Sequence, residues 1–313
     1  MKVFVAGASG AIGKPLVSQL VAGGYQVVAM TRSANNVDAL RAAGAEPVVA
    51  DALDRDAVMQ AVMRAEPEVI IHELTALTGV TNLKRFDEVF ALTSRLRTEG
   101  TDYLMAAAQA AGTRRFIAQS YGNWTYARTG ALIKAEDDPL DSTPPVNQTK
   151  SMAAIRHLER VIQSDSNIQG IALRYGNLYG PGTGFALDGD IVAMLRKRGF
   201  PIVGNGAGIW SFIHVNDAAS AAVAAIQHGE PGAYNICDDE PAPVNVWLPA
   251  LAKTVGAKPP FHIPVWAARF IVGDVAVSMM TQIRGASNAK AKRELDWQPG
   301  YKTWRDGFRT GLA

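Results

Sequence analysis

Three glycines frame the run Gly7-Ala8-Ser9-Gly10-Ala11-Ile12-Gly13, directly after the short apolar stretch Val3-Phe4-Val5-Ala6. A strand, a glycine turn and a helix in that order can bind the pyrophosphate of a dinucleotide. Gly7 permits the tight turn, Gly10 lets the backbone approach the phosphates, and Gly13 lets helix and strand pack closely. Backbone N–H groups and the positive end of the helix dipole favour the anion. Ser9, Ala11 and Ile12 lie in the same loop and are expected cofactor contacts. A second signal follows at Thr31-Arg32-Ser33, where a NAD-preferring site usually offers a carboxylate to the ribose 2′-OH. An arginine between two hydroxyls suits a 2′-phosphate instead. The expected cofactor is therefore NADP(H), selected by Arg32 and Ser33, with NAD(H) as the alternative.

The elements that must position these residues follow from the pattern of apolar runs. Lys2–Ala6, Gln26–Met30, Glu46–Val49, Val69–His72, Arg115–Gln119 and Ile168–Arg174 are short apolar runs bounded by turn or charged residues, as in strands buried on both faces. Helical patterns lie between them at Lys14–Ala22, Val37–Ala43, Arg55–Arg64, Phe86–Ala111 and Ser151–Ser164. The alternation predicts an α/β fold, a Rossmann-type doubly wound parallel sheet. After about Tyr175 glycine and proline become frequent. We expect a dinucleotide-binding domain over 1–176 with a returning segment near 210–237, and a smaller, interleaved substrate-binding region over 177–313.

Composition excludes several classes. Lys and Arg number 31 against 29 Asp and Glu, so no basic surface calls for nucleic acid. Cys237 stands alone, which rules out an intrachain disulfide. The late apolar stretch Ile263–Met280 is broken by Arg269 and Asp274 and is shorter than the ~20 residues a membrane span needs. The apolar run after Lys2 is too short for a secretory signal, and a cytoplasmic location is the expectation. The five histidines form no ligand-spaced cluster with Cys or carboxylates, so no metal is expected. No Gly-x-Ser-x-Gly elbow is present.

Further motifs occur in order along nearly the whole chain. They are Asp51-Ala52-Leu53, Val69–Ala76, Gly100-Thr101, Leu173-Arg174 through Asn177-Leu178-Tyr179-Gly180-Pro181, and Ser211-Phe212-Ile213-His214-Val215-Asn216-Asp217. With the glycine spacing, they resemble the short-chain dehydrogenase/reductase superfamily in its extended branch, the NAD-dependent epimerase/dehydratase family. The resemblance implies that Asp51, with Ala52, meets the adenine, and that the segment containing Leu74 lies beside the nicotinamide ribose. It also places Tyr175 among the cofactor contacts. It implies a homodimer formed through helices such as Phe86–Ala111 and Ser151–Ser164.

The chain departs from the family pattern where catalysis occurs. The family's Tyr-x-x-x-Lys is here Val146-Asn147-Gln148-Thr149-Lys150, so the lysine is present and the tyrosine is not. The resemblance makes Lys150 the expected ribose-binding lysine. The family's paired hydroxyls after the fifth strand fall on Ser120 and Tyr121. Tyr121 is the expected replacement acid, with Ser120 beside it and its pKa lowered by Lys150. Trp210 stands where nucleotide-sugar enzymes of the branch commonly carry an arginine for the diphosphate, and Arg97 replaces an asparagine in helix four. Trp124, Asn177, Phe185 and Trp210 are the expected substrate-pocket residues. These features imply an atypical NADP(H)-dependent oxidoreductase acting on the carbonyl or alcohol of a small, non-nucleotide metabolite. A NAD-dependent nucleotide-sugar epimerase or dehydratase and a non-catalytic NADP-binding redox sensor are the alternatives.

Overall fold

The computed structural model describes residues 1–77 and 83–313. Seven strands form the central sheet: β1 (Lys2–Ala6), β2 (Gln26–Thr31), β3 (Glu46–Val49), β4 (Val69–His72), β5 (Arg115–Tyr121), β6 (Gln169–Tyr175) and β7 (Gly232–Ile236). Their order is β7-β6-β5-β4-β1-β2-β3, and every neighbouring pair is parallel. The connections reverse direction between β1 and β4, which opens a crevice at the carboxyl ends of those strands where ligands of doubly wound sheets bind.

Parallel strands must be covered on both faces, and alternation along each strand divides the cover. Val3, Val5, Ile71 and Ile117 pack on one side with α1 (Gly13–Ala22). Phe4, Ile70 and Phe116 pack on the other, against the side chains of α3 (Arg55–Ala65), α4 (Thr101–Ala110) and α5 (Thr149–Ile162), while α2 (Val37–Ala42) links β2 to β3. The chain leaves the sheet after β6 and returns with α6 (Val215–Ala224), which packs on α1, and then with β7. A third cluster built on Phe185, Trp210, Phe212, Trp247, Trp304 and Phe308 holds the smaller lobe.

Two elements differ from the sequence reading. The single helix expected over Phe86–Ala111 is broken into Phe86–Val89, Ala91–Arg95, a π-helical turn at Leu96–Gly100, and α4. The strand β7 was not among the expected strands because Gly232-Ala233-Tyr234-Asn235-Ile236 has neither a long apolar run nor clean alternation. Its pairing with β6 supplies the hydrogen bonds that its composition does not announce. Among the described residues, no helix is long and apolar enough to cross a membrane and no group of three or more His, Cys, Asp or Glu could hold a metal ion.

Candidate active site

The glycine loop is shaped by contacts that a side chain would destroy. Gly7 has φ +96°, and a Cβ there would lie 2.8 Å from the Glu73 carbonyl carbon. A Cβ at Gly13 would collide with the Gly7 carbonyl oxygen. Gly10 is different: it is exposed and its Cβ would meet only that same oxygen, at 3.2 Å. Two glycines therefore close the loop and the third leaves its outer side bare. The α1 N-terminus has no side-chain cap and no acidic residue in its first turn. The positive end of its dipole and the bare glycine edge fit a pyrophosphate.

At the end of β2, Thr31 is a local hub. Its Oγ1 lies 3.3 Å from Ser9 Oγ and accepts from Asn36 Nδ2 at 3.0 Å. Ser33 caps the next turn by accepting from the Asn35 N–H at 3.3 Å. Arg32 is exposed and forms no ion pair or hydrogen bond with any described residue. Asn36, which the sequence reading passed over, extends the polar rim around Arg32. Asp51 is exposed at the end of β3, where its Oδ1 accepts from the Leu53 N–H at 3.0 Å, and Ala52 is buried behind it.

The end of β4 is locked from below. His72 accepts from the Leu74 N–H through Nδ1 at 3.2 Å and meets Thr101 Oγ1 through Nε2 at 3.1 Å. Burial, aided by the charge of Arg97, lowers its pKa to about 4, so the ring is neutral. Glu73 points into the layer beneath the glycine loop, where Tyr175 donates to its Oε1 at 2.9 Å. Burial pushes its carboxyl up to about 8, with the Tyr175 hydrogen bond opposing. Tyr175 is fully buried and engaged there.

The expected catalytic group does not assemble as the family pattern implies, and two positions need correction. Lys150 is exposed on the outer side of α5, in an open groove shared with Ser94, Arg95, Thr98 and His157. The inward face of that helix carries Ser151, Met152 and Ile155 instead, and Asp87 caps it by accepting from the Lys150 and Ser151 N–H groups at 3.0 and 2.9 Å. Ser120 faces the α5 side of the sheet and donates to Glu159 Oε1 at 2.6 Å. Glu159 is also held bidentately by Arg174, at 2.8 Å on each oxygen. One-residue alternation along β5 thus separates Ser120 from Tyr121.

Tyr121 is half-buried at the carboxyl end of β5, packed against the aromatic cluster of the smaller lobe, and donates to Asn177 Oδ1 at 2.6 Å. Its pKa is raised rather than lowered, because burial outweighs the nearby cation, and that cation is Arg97. Trp124 stands 5.5 Å from the Tyr121 ring and 5.4 Å from Phe86, which stacks on Phe90 at 4.0 Å. These four rings make an aromatic wall, of which the sequence reading found only Tyr121 and Trp124. Nothing in the type or spacing of Phe86 and Phe90 sets them apart from ordinary helix-face residues. Phe185 and Trp210, expected in the pocket, lie in the same aromatic cluster as Phe86 and Trp124, on the side of the smaller lobe. Trp210 is 7% exposed and donates its indole N–H to the Met279 carbonyl at 2.9 Å. Gly182 of that lobe comes close to the glycine loop, its Cβ position 3.5 Å from Ala11 Cβ.

Comparison with known proteins bears on the family and the fold. The sequence model of the NAD dependent epimerase/dehydratase family matches residues 3–237. A 3-diazoavenalumate denitrifying reductase from a Streptomyces species is 46% identical over 312 residues, covering 98% of this chain and 99% of that protein. A 2-alkyl-3-oxoalkanoate reductase from Stenotrophomonas maltophilia is 28% identical, covering 82% and 76%. The crystal structure of a Thermus thermophilus UDP-glucose 4-epimerase in complex with NAD superposes with a TM-score of 0.76 at 23% identity, over 100% of this chain and 98% of that one.

Proposed function

The chain belongs to the NAD-dependent epimerase/dehydratase family and is an NAD(P)-dependent oxidoreductase, and from that premise we propose that it is an NADPH-dependent reductase that replaces the diazo group of a small aromatic metabolite with hydrogen. The observation that carries this reading is the lack of a poised proton donor among the described residues. Val146, expected at the family's tyrosine position, is 84% exposed. The Ser120 hydroxyl is tied to Glu159, and Tyr121 is a neutral phenol of raised pKa already donating to Asn177. Ordinary carbonyl reduction needs an acid worth ~10²–10⁴-fold in rate. Reductive loss of nitrogen does not: a hydride forms the new C–H bond, the C–N bond breaks, and N₂ leaves with that electron pair.

When bound, the reduced nicotinamide supplies the hydride. The chain's own residues hold and orient. The α1 N-terminus takes the pyrophosphate, Arg32 with Ser33 and Asn36 takes the 2′-phosphate, and the loop fixed by His72 carries Leu74 beside the ribose. The wall of Tyr121, Trp124, Phe86 and Phe90 holds a flat substrate, and such positioning contributes ~7–11 kcal/mol. The name of the 46% identical relative, which states a diazo substrate and the loss of nitrogen, supports the same chemistry.

A carbonyl-reducing reading is favoured by one contact, the Tyr121 hydroxyl 2.6 Å from Asn177 within the cleft, where a donor to an oxyanion would stand. One experiment separates the two. The protein is incubated with NADPH deuterated at nicotinamide C4 and either 3-diazo-4-hydroxybenzoate or a 3-oxo acid. The expected result is N₂ release matching NADPH consumption, with deuterium on the former diazo carbon and turnover unchanged in D₂O. Turnover of the oxo acid alone, slowed in D₂O, would replace this reading with the ketoreductase one.

A further inference from the structure

Arg97 sits within the π-helical turn Leu96–Gly100, a distortion that concentrates at functional sites. Its side chain is 3% exposed, its Nε is buried without a partner, and it forms no ion pair or hydrogen bond with any described residue. A guanidinium carries five donors, and leaving a charge unpaired in a protein interior costs several kcal/mol. Burial pulls its pKa down to about 10, opposed by Tyr121 and Glu159, so it remains charged at neutral pH.

Among the described residues, no neighbour supplies the missing negative charge. Glu159 is already matched by Arg174, His72 is neutral, and Tyr121 is a neutral phenol. Asn123 also flanks Tyr121 and its amide interacts weakly with the phenol, yet neither buried amide atom has a partner at full hydrogen-bond geometry. One unpaired cation and one under-satisfied amide therefore stand beside the ring of Tyr121, in the cleft assigned to the substrate.

We propose that Arg97 is a substrate-binding residue that pairs with an anionic oxygen of the substrate, a carboxylate or a phenolate, with Asn123 as a second hydrogen-bonding group. This rests on the reading of the cleft as a substrate site for a small aromatic, and it adds the charge that the substrate must carry. A desolvated guanidinium–carboxylate pair is directional and discriminates against neutral analogues, because an ester would leave the guanidinium unpaired.

The test uses full-length protein saturated with NADP⁺ and three probes: 4-hydroxybenzoate, its methyl ester and benzoate. Dissociation constants are measured by calorimetry for wild type, Arg97→Met and Arg97→Lys. If the carboxylate is the anchor, both acids bind wild type at least tenfold more tightly than the ester. If the phenolate is the anchor, 4-hydroxybenzoate and its ester both bind at least tenfold more tightly than benzoate, more so at higher pH. Either gap is expected to vanish in Arg97→Met and to survive in part in Arg97→Lys. NADP⁺ affinity should stay within twofold, and the ligand-free Tm of Arg97→Met should equal or exceed that of wild type, since no protein contact is lost.

Equal affinities for all three probes in wild type, a loss of NADP⁺ affinity in Arg97→Met, or a lowered Tm with unchanged probe preference would overturn the proposal. Diazo turnover is not part of this readout. Selective binding through Arg97 without diazo reduction would overturn the proposed reaction alone. Diazo reduction without any probe preference would overturn the Arg97 assignment alone.

Discussion

Arg32 concentrates the choice between two cofactors on one exposed guanidinium that no described residue neutralises. A charge-assisted hydrogen bond contributes ~1.5–3 kcal/mol, so Arg32→Ala should weaken NADPH binding by that amount and leave NADH binding unchanged. Calorimetric titration with both cofactors measures this, and equal wild-type affinities would remove the case for NADPH. Tyr121 poses the complementary question. With no proton to deliver, Tyr121→Phe should lower kcat on a diazo substrate by less than about tenfold, against the ~10²–10⁴-fold loss expected of a general acid. A loss in the larger range, with NADPH affinity intact, would make Tyr121 the donor after all.

At the scale of the element, the strand–loop–helix unit at the N-terminus was legible, because two of its glycines, Gly7 and Gly13, are required by backbone collisions that any side chain would cause. Gly13→Ala should abolish cofactor binding and lower stability by about 1–3 kcal/mol, the range for overpacking, whereas Gly10→Ala should spare stability and weaken binding only. Thermal unfolding alongside cofactor titration distinguishes them. The catalytic face of α5 was not legible. Counting Val146 to Lys150 placed the lysine by family register, but helix phase is decided by burial of Ser151, Met152 and Ile155 and by the Asp87 cap, which comes from a distant segment. The break in helix four was equally hidden, since a π turn leaves no periodicity signal over five residues. Beneath the loop, Glu73 makes β4 sensitive to pH. Burial raises its carboxyl from 4.5 to about 8, so the folded protein keeps a proton that the unfolded chain releases. Asp238 is shifted the same way, also to about 8. Their contribution is complete below the unfolded pKa, declines as pH rises, and is lost by about pH 8. Glu73→Gln should flatten the fall in Tm between pH 5 and pH 8 and exceed wild-type stability at pH 8, whereas an unchanged slope would mean that Glu73 ionises freely in the folded state.

The whole molecule joins a sheet that holds a dinucleotide to a smaller lobe whose interior is aromatic, and the join decides what else can bind. The crevice at the strand ends is shared by the wider fold, including the epimerase that superposes on this chain, so shape alone does not choose a substrate. The lining does. Trp210 stands where an arginine of the nucleotide-sugar enzymes is expected, and it is packed 4.8 Å from Trp247 with its indole N–H engaged by Met279. An indole in that state offers a diphosphate neither charge nor a free donor. Exchanging it for arginine would bury a charge among Phe185, Phe212 and Trp247, so the smaller lobe cannot take up that role without repacking. The proposed substrate cleft offers, among the described residues, aromatic rings and the unpaired guanidinium of Arg97, a match for one small anion rather than for two linked phosphates and a sugar. Uridine- and thymidine-diphosphate sugars should therefore give no thermal stabilisation in the presence of cofactor. A ligand at 100 times its Kd would add ~2.7 kcal/mol, readily visible as a rise in Tm. If any nucleotide sugar produces that rise and is then turned over, the lobe accommodates a diphosphate through other groups, and the epimerase reading displaces the reductase one.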